Sequence, residues 1–290
     1  MTKIELQPLF GKICLVTGAT AGIGKITATA LAAQGAELVI HGRNQEKAEI
    51  TVNQIKAETG NESVSYLLAD FSNLDQVRNL AAEFQDKFDH LHVLVNNAGG
   101  FFNKRIPTSY GVEMTFLVNH LAPFLLTNLL LNTLKNSPPS RIINISSEAH
   151  RQDQMNFGDL GFEKGYFGIK AYARSKLANI LFTYELANHL DGTGVTVNAL
   201  HPGHIATDIW KTNFGVIGPA LKRIMGLFSL TPEEGAENSI FLATSPEVEG
   251  INSKYFIKNE PAQSSPASCD EEIARRLWKL SAELTSLPKN

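Results

Sequence analysis

The sequence predicts a doubly wound α/β fold on a seven-stranded parallel sheet, in a single domain spanning 1–290. Three observations point there. Short β-branched runs alternate with longer helical stretches along the chain. Several of the short runs lack polar alternation, as strands covered on both faces do. A glycine cluster follows the first run, where a βαβ unit makes its tight turn. Such alternation implies parallel strands joined by right-handed crossovers.

The first strand is expected at 12–17, KICLVT, passing through Thr17-Gly18-Ala19-Thr20-Ala21-Gly22-Ile23-Gly24 into a helix near 23–34. Glycines here allow close backbone approach, and free N–H groups at the helix start suit a pyrophosphate. The spacing is Gly-x-x-x-Gly-x-Gly, and its place after the first strand favours a dinucleotide. A second strand at 37–41 ends in His41-Gly42-Arg43-Asn44, before a helix near 44–58. NAD binders usually place a carboxylate there for the ribose 2′-hydroxyl. None occurs between Leu38 and Gln45; Arg43, with Lys25 after the last glycine, suits a 2′-phosphate, so NADPH is expected over NADH.

A third strand at 64–69 and a helix near 73–88 follow, and a fourth strand at 93–96 closes on Asn96-Asn97-Ala98-Gly99. The helical stretch 112–135 carries Asn119 within the apolar run FLVNHLAPFLL. A buried amide there needs partners, because an unpaired one costs about 1–3 kcal/mol. The fifth strand, 141–146, ends at Ser146-Ser147; the sixth, 195–200, runs into His201-Pro202-Gly203-His204; the seventh is 254–257. The last helices are expected near 171–190 and 232–244, and residues 258–290 form a C-terminal extension. Two long connections, 148–170 and 203–231, follow strands, at the end of the sheet where ligands bind. The second is rich in large apolar residues and reads as a substrate lid.

Tyr172 and Lys176 stand one turn apart in AYARSKLANILF. Residues at i and i+4 share a helix face, with Cβ atoms about 5–6 Å apart. An ammonium beside a phenol stabilises the phenolate, lowering a pKa that is ordinarily about 10. At about 4 Å and an effective dielectric of about 20 the attraction is about 4 kcal/mol, enough to bring the phenol toward proton transfer near neutrality.

Composition narrows the partners. With 43% hydrophobic and 19% charged residues the chain reads as an ordinary soluble protein. A formal charge of −3 gives no electrostatic reason to expect nucleic acid or an anionic membrane, and no apolar run is long enough to span a bilayer. Cys14 and Cys269 lie far apart in sequence, so a disulfide framework is not expected and a reducing cytoplasm fits. His201 and His204 lack a second ligand set, so no metal is expected.

Together, TGATAGIG, NNAG, Asn119, ISS, YARSK and HPG resemble the short-chain dehydrogenase/reductase family, in that family's order, over roughly residues 10–257. SEAH, NFGDL, YARSKLANILFTYELA and GVTVNALHPG look most like its retinol-dehydrogenase-like branch. The resemblance implies a Rossmann-type fold with a catalytic set of Asn119, Ser147, Tyr172 and Lys176. Tyr172 would be the general acid/base, Lys176 would lower its pKa and hold the nicotinamide ribose, Ser147 would polarise the carbonyl, and Asn119 would hold a water for proton relay. It also implies a cofactor groove. Gly18, Thr20, Gly22, Ile23 and Gly24 would meet the pyrophosphate side. Arg43, Asn44, Asp70, Phe71, Asn97, Ala98 and Gly99 would line the adenosine half. Pro202, Gly203, Ile205 and Thr207 would surround the nicotinamide, together with Tyr172 and Lys176.

The expected activity is therefore NADP-dependent interconversion of a carbonyl and an alcohol on a lipophilic substrate such as a retinoid, steroid or aryl ketone. Two alternatives are a double-bond reductase of the protochlorophyllide-reductase type and a non-enzymatic NADPH-binding regulator. The family often pairs through the helices holding Asn119 and Tyr172, so a homo-oligomer is possible.

Overall fold

The computed structural model describes residues 8–203 and 231–287. One sheet runs in the order β3-β2-β1-β4-β5-β6-β7-β8. Its strands are β1 (Ile13–Val16), β2 (Glu37–Gly42), β3 (Val64–Leu68), β4 (Val93–Asn96), β5 (Ser140–Ile145), β6 (Val195–His201), β7 (Tyr255–Ile257) and β8 (Glu260–Ala262). The first seven pair in parallel. The strand order reverses between β1 and β4, which opens a crevice beyond their carboxyl ends.

The expected count of seven strands is corrected to eight, because β8 adds an antiparallel edge to β7. Lys258 and Asn259 both take positive φ, 52° and 65°, the geometry of a two-residue primed hairpin turn. Pro261 lacks an N–H but is tolerated on an edge.

Alternate strand residues feed two apolar layers. Leu15, Val39, Leu94, Ile142 and Val197 pack beneath α3 (Leu74–Lys87), α5 (Ala122–Leu129) and α7 (Gly168–His189). Cys14, Val16, Leu38, Ile40, Val95 and Ile143 face α1 (Gly22–Ala33), α2 (Gln45–Thr59) and a later helix, α8 (Pro232–Thr244). Double burial explains why these strands read as continuous apolar runs.

The stretch expected as one helix over 112–135 is interrupted. A short α4 (Met114–Phe116) enters a π turn at Leu117–Leu121 before α5, and α6 (Leu131–Lys135) follows. The connection 148–170 contains a 3-10 turn at Glu148–Gln152, and α7 starts at Gly168. In the C-terminal extension a 3-10 turn at Pro266–Cys269 leads to α9 (Glu271–Leu284), capped by Asp270, which accepts from Ile273 N. The Trp278 ring of α9 lies 5.1 Å from Phe124 and 5.9 Å from Phe182, and Ser281 bonds His120 Nε2 at 2.9 Å. The expected lid lies, except for its first and last residues, outside the described residues.

Candidate active site

The glycine turn packs directly against the loop after β4. Gly18 has φ +64°, and a Cβ there would fall 2.8 Å from Ala98 Cα; at Gly24 it would fall 2.3 Å from Asn97 Nδ2. The clamp is polar. Asn97 Nδ2 donates to Thr17 O at 2.8 Å and Gly18 O at 3.1 Å, while Thr17 Oγ1 accepts from Asn97 N and Ala98 N. Asn97 therefore shapes the turn, and its amide is spent on the backbone. The helix start at Ala21 has no side-chain cap and no acid in its first turn. Gly22, at φ +55°, has open space where a side chain would stand. An uncapped helix N-terminus of that kind fits a pyrophosphate.

At the adenosine end Arg43 is exposed after β2. Burial raises the Asp70 carboxyl, but hydrogen bonds from Ser72 and the charge of Arg43 outweigh it and hold Asp70 below the usual range. Two side chains expected there have partners within the chain. Asn44 uses its side chain to cap α2, accepting from Lys47 N at 2.9 Å. The Phe71 side chain is buried and stacks on His41 at 4.3 Å.

The reacting end gathers around β4, β5 and α7. Lys176 Nζ donates to Ile145 O at 3.0 Å, and Ser146 Oγ donates to Lys176 O at 2.8 Å, pinning α7 to the end of β5. Asn119, fully buried in the π turn, accepts from Gly100 N at 2.7 Å and donates to Gly100 O at 2.9 Å and to Ser175 Oγ at 3.0 Å. A π turn inserts one residue, which turns the amide to the loop after β4. A Cβ on Gly99 would lie 3.2 Å from Asn119 Oδ1 and 3.6 Å from Lys176 Nζ, so a side chain there would crowd the Asn119 amide. Ser147 caps the 3-10 turn, accepting from Ala149 N at 3.2 Å, and its hydroxyl also bonds Tyr172. All four expected catalytic side chains thus converge.

Their electrostatics correct the sequence reading. Burial pushes the Tyr172 hydroxyl up to about 12, with the Ser147 hydrogen bond acting against it. Burial also draws Lys176 down to about 8. The ammonium stands 5.5 Å from the Tyr172 ring centroid and spends a proton on Ile145 O, so desolvation outweighs its pull on the phenol.

After β6, Asn238 Nδ2 donates to His201 O and Phe256 O, fixing the strand end that leads to Pro202 and Gly203. Ile205 and Thr207 lie outside the described residues. Among the described residues no three His, Cys, Asp or Glu side chains are grouped to hold a metal.

A family model described as short chain dehydrogenase matches residues 12–215. The chain belongs to the short-chain dehydrogenase family. Human retinol dehydrogenase 14 is 42% identical over 97% of this chain and 88% of that protein. Human polyprenol dehydrogenase is 38% identical over 97% of this chain and 88% of its own length. A short chain dehydrogenase from Burkholderia cenocepacia, solved in complex with NADP, is 30% identical with a TM-score of 0.68, covering 86% of this chain and 96% of that one.

Sequence reasoning missed two supports of this short-chain dehydrogenase site. His41 Nδ1 accepts from Gly18 N at 3.2 Å and Nε2 donates to Ala69 O at 3.0 Å, tying the glycine turn to the end of β3. Burial lowers its pKa to about 4, so the ring is neutral with its proton on Nε2. Arg174, between Tyr172 and Lys176, pairs with Asp153 at 2.9 Å, donates to Asp159 O at 2.9 Å and lies 4.1 Å over the Phe162 ring. It straps the 148–167 loop onto α7. The only sequence signal was a cation inside the YARSK run.

Proposed function

We propose that the protein is an NADP(H)-dependent oxidoreductase that interconverts a carbonyl and an alcohol on a lipophilic substrate. The observation that carries this reading is the convergence of Ser147, Tyr172, Lys176 and Asn119 beside the glycine turn. When bound, the nicotinamide exchanges the hydride. In the reducing direction Tyr172 donates its proton to the carbonyl oxygen. Burial keeps that phenol neutral until negative charge develops. Ser147 orients the oxygen. Lys176, cationic near neutrality, stabilises the phenolate from the face of the ring. Asn119 holds Gly99 and Gly100 beside Lys176, and is the residue assigned to a water-borne proton path. Alcohol oxidation runs through the same groups in reverse.

Preference for NADPH rests on exposed Arg43 at the end of β2, on the lack of a carboxylate there, and on the NADP-bound Burkholderia relative. The lipophilic substrate class rests on the retinol and polyprenol relatives and on the apolar composition of 203–231. The Ser147–Tyr172 hydrogen bond favours carbonyl chemistry over double-bond reduction, and a complete catalytic set argues against a purely regulatory role. A reducing cytoplasm accords with free thiols at Cys14 and Cys269.

The test is loss of coenzyme absorbance with a panel of aldehydes and ketones. NADPH should be consumed with a higher kcat/KM than NADH, and most efficiently with the more apolar carbonyls. No turnover with any of them, or a clear preference for NADH, contradicts the reading.

A further inference from the structure

The turn that carries Ser147 is held by a part of the chain outside the catalytic set. Ser147 heads the 3-10 turn Glu148–Gln152, and its carbonyl oxygen accepts twice from His150. The backbone N of His150 donates at 3.0 Å and the ring Nδ1 at 2.7 Å. The other ring nitrogen, Nε2, lies 3.0 Å from Ser265 N. A backbone amide can only donate, so Nε2 is the acceptor and the proton of the neutral ring sits on Nδ1. His150 is fully buried, and burial lowers its pKa against the Ser147 bond, which keeps the ring neutral.

The anchor is the segment between β8 and the 3-10 turn at Pro266–Cys269, and each of its three residues grips a neighbour. Gln263 O accepts from Arg151 Nη2, the Ser264 hydroxyl bonds the Tyr184 hydroxyl of α7 at 2.8 Å, and Ser265 N holds His150. From β7 the Tyr255 ring stands edge-on to His150, with centroids 5.1 Å apart, and its hydroxyl donates to Glu148 at 2.9 Å. Glu148 in turn pairs with Arg151 at 2.9 Å. Turning the His150 ring over would take Nδ1–H from Ser147 O and Nε2 from Ser265 N, leaving buried polar groups unpaired.

We propose that His150 is a positioning residue for the reaction. Its Nδ1–H fixes the Ser147 carbonyl, and with it the turn that aims the Ser147 hydroxyl at Tyr172 and the substrate oxygen. The C-terminal segment at Ser265 holds the ring in the tautomer that can donate. This deepens the reading above and rests on the role given there to Ser147. Fully buried, His150 reaches the reaction only through that serine. The lever is a large one, because misplacing a reacting group by about 1 Å can cost about 10²-fold in rate.

Three substitutions separate aiming from packing. Asn puts an amide N–H where Nδ1 stands and gives up Ser265 N. Gln reaches Ser265 N and gives up the donor to Ser147 O, which still accepts from the backbone N of residue 150. Phe keeps a ring and loses both side-chain bonds. A purely structural role therefore favours Gln, because Asn leaves a buried N–H unpaired. The positioning role favours Asn. His150→Phe and His150→Gln should lower kcat for carbonyl reduction about 10–10²-fold, no further than Ser147→Ala does, with coenzyme affinity near wild type. His150→Asn should recover kcat to within a few-fold of wild type.

A second readout needs no turnover. In chain isotope-labelled at the tyrosine Cζ, the Tyr172 resonance is assigned by its loss in Tyr172→Phe. It should move in His150→Gln toward its position in Ser147→Ala, because both disturb the Ser147–Tyr172 hydrogen bond. In His150→Asn it should stay near its wild-type position. A kcat for Gln at or above that for Asn overturns the proposal, and so does a Tyr172 resonance unmoved in His150→Gln. Wild-type chain that reduces no carbonyl overturns the oxidoreductase reading instead, and the resonance still decides whether His150 aims Ser147.

Discussion

A phenol and an ammonium one helical turn apart are both driven toward neutrality by burial in this protein, Tyr172 up to about 12 and Lys176 down to about 8. The consequence is a pH dependence set by the lysine. Its charged form is present below about 8 and lost above, so kcat/KM for carbonyl reduction should fall as pH rises through 8. A profile flat to about 10, where an unperturbed lysine titrates, contradicts that assignment. His41 gives a second prediction, with the opposite slope. Its neutral ring is required by the hydrogen bond that Nδ1 accepts from Gly18 N, and burial lowers its pKa from 6.5 to about 4 on folding, against the Ala69 bond. The unfolded chain therefore binds the proton more readily below 6.5. Stability is undiminished above that pH and drops as pH falls toward 4, by about 3 kcal/mol. Urea midpoints measured across this range should decline less steeply in His41→Gln; an identical slope contradicts the account. Tyr172 and Lys176 were legible because their spacing alone puts them on one face. The direction of the phenol's pKa was not, because burial and the Ile145 carbonyl that draws off the ammonium are properties of the folded chain.

Elements differ in how plainly the sequence announces them. The central strands β1, β4 and β5 could be read because burial on both faces makes them largely apolar runs. The eighth was hidden by a Lys258-Asn259 turn without glycine and by Pro261, which ordinarily argues against a strand. The π turn at Asn119 was hidden too, since one inserted residue leaves the hydrophobic pattern of 112–135 intact. Helix α9 was visible only as an extension, yet it seals the outer side of α5 and α7. Leu277 is fully buried there, so Leu277→Ala should cost about 2–5 kcal/mol, measured as a fall in thermal midpoint. A cost below about 1 kcal/mol means that α9 is loosely held. The Arg174 strap predicts a kinetic signature as well. Arg174→Met should loosen the 148–167 loop and raise KM for bulky carbonyls more than it lowers kcat; equal effects on small and bulky substrates contradict a positioning role.

At the scale of the whole molecule, the sequence left open an oligomer through the helices of Asn119 and Tyr172. Trp278 and Ser281 of α9 occupy that face, against Phe124, Phe182 and His120. Light scattering should therefore report the mass of one chain, 31.7 kDa; twice that mass contradicts a covered face. The central claim is that the Tyr172 hydroxyl moves the proton at the reacting oxygen. Single-turnover reduction of a carbonyl by Tyr172→Phe, alongside a titration of NADPH binding, addresses it most directly. Turnover should fall about 10²–10⁴-fold while coenzyme affinity stays near that of the wild type. A variant that turns over within a few-fold of wild type means that another group carries the proton.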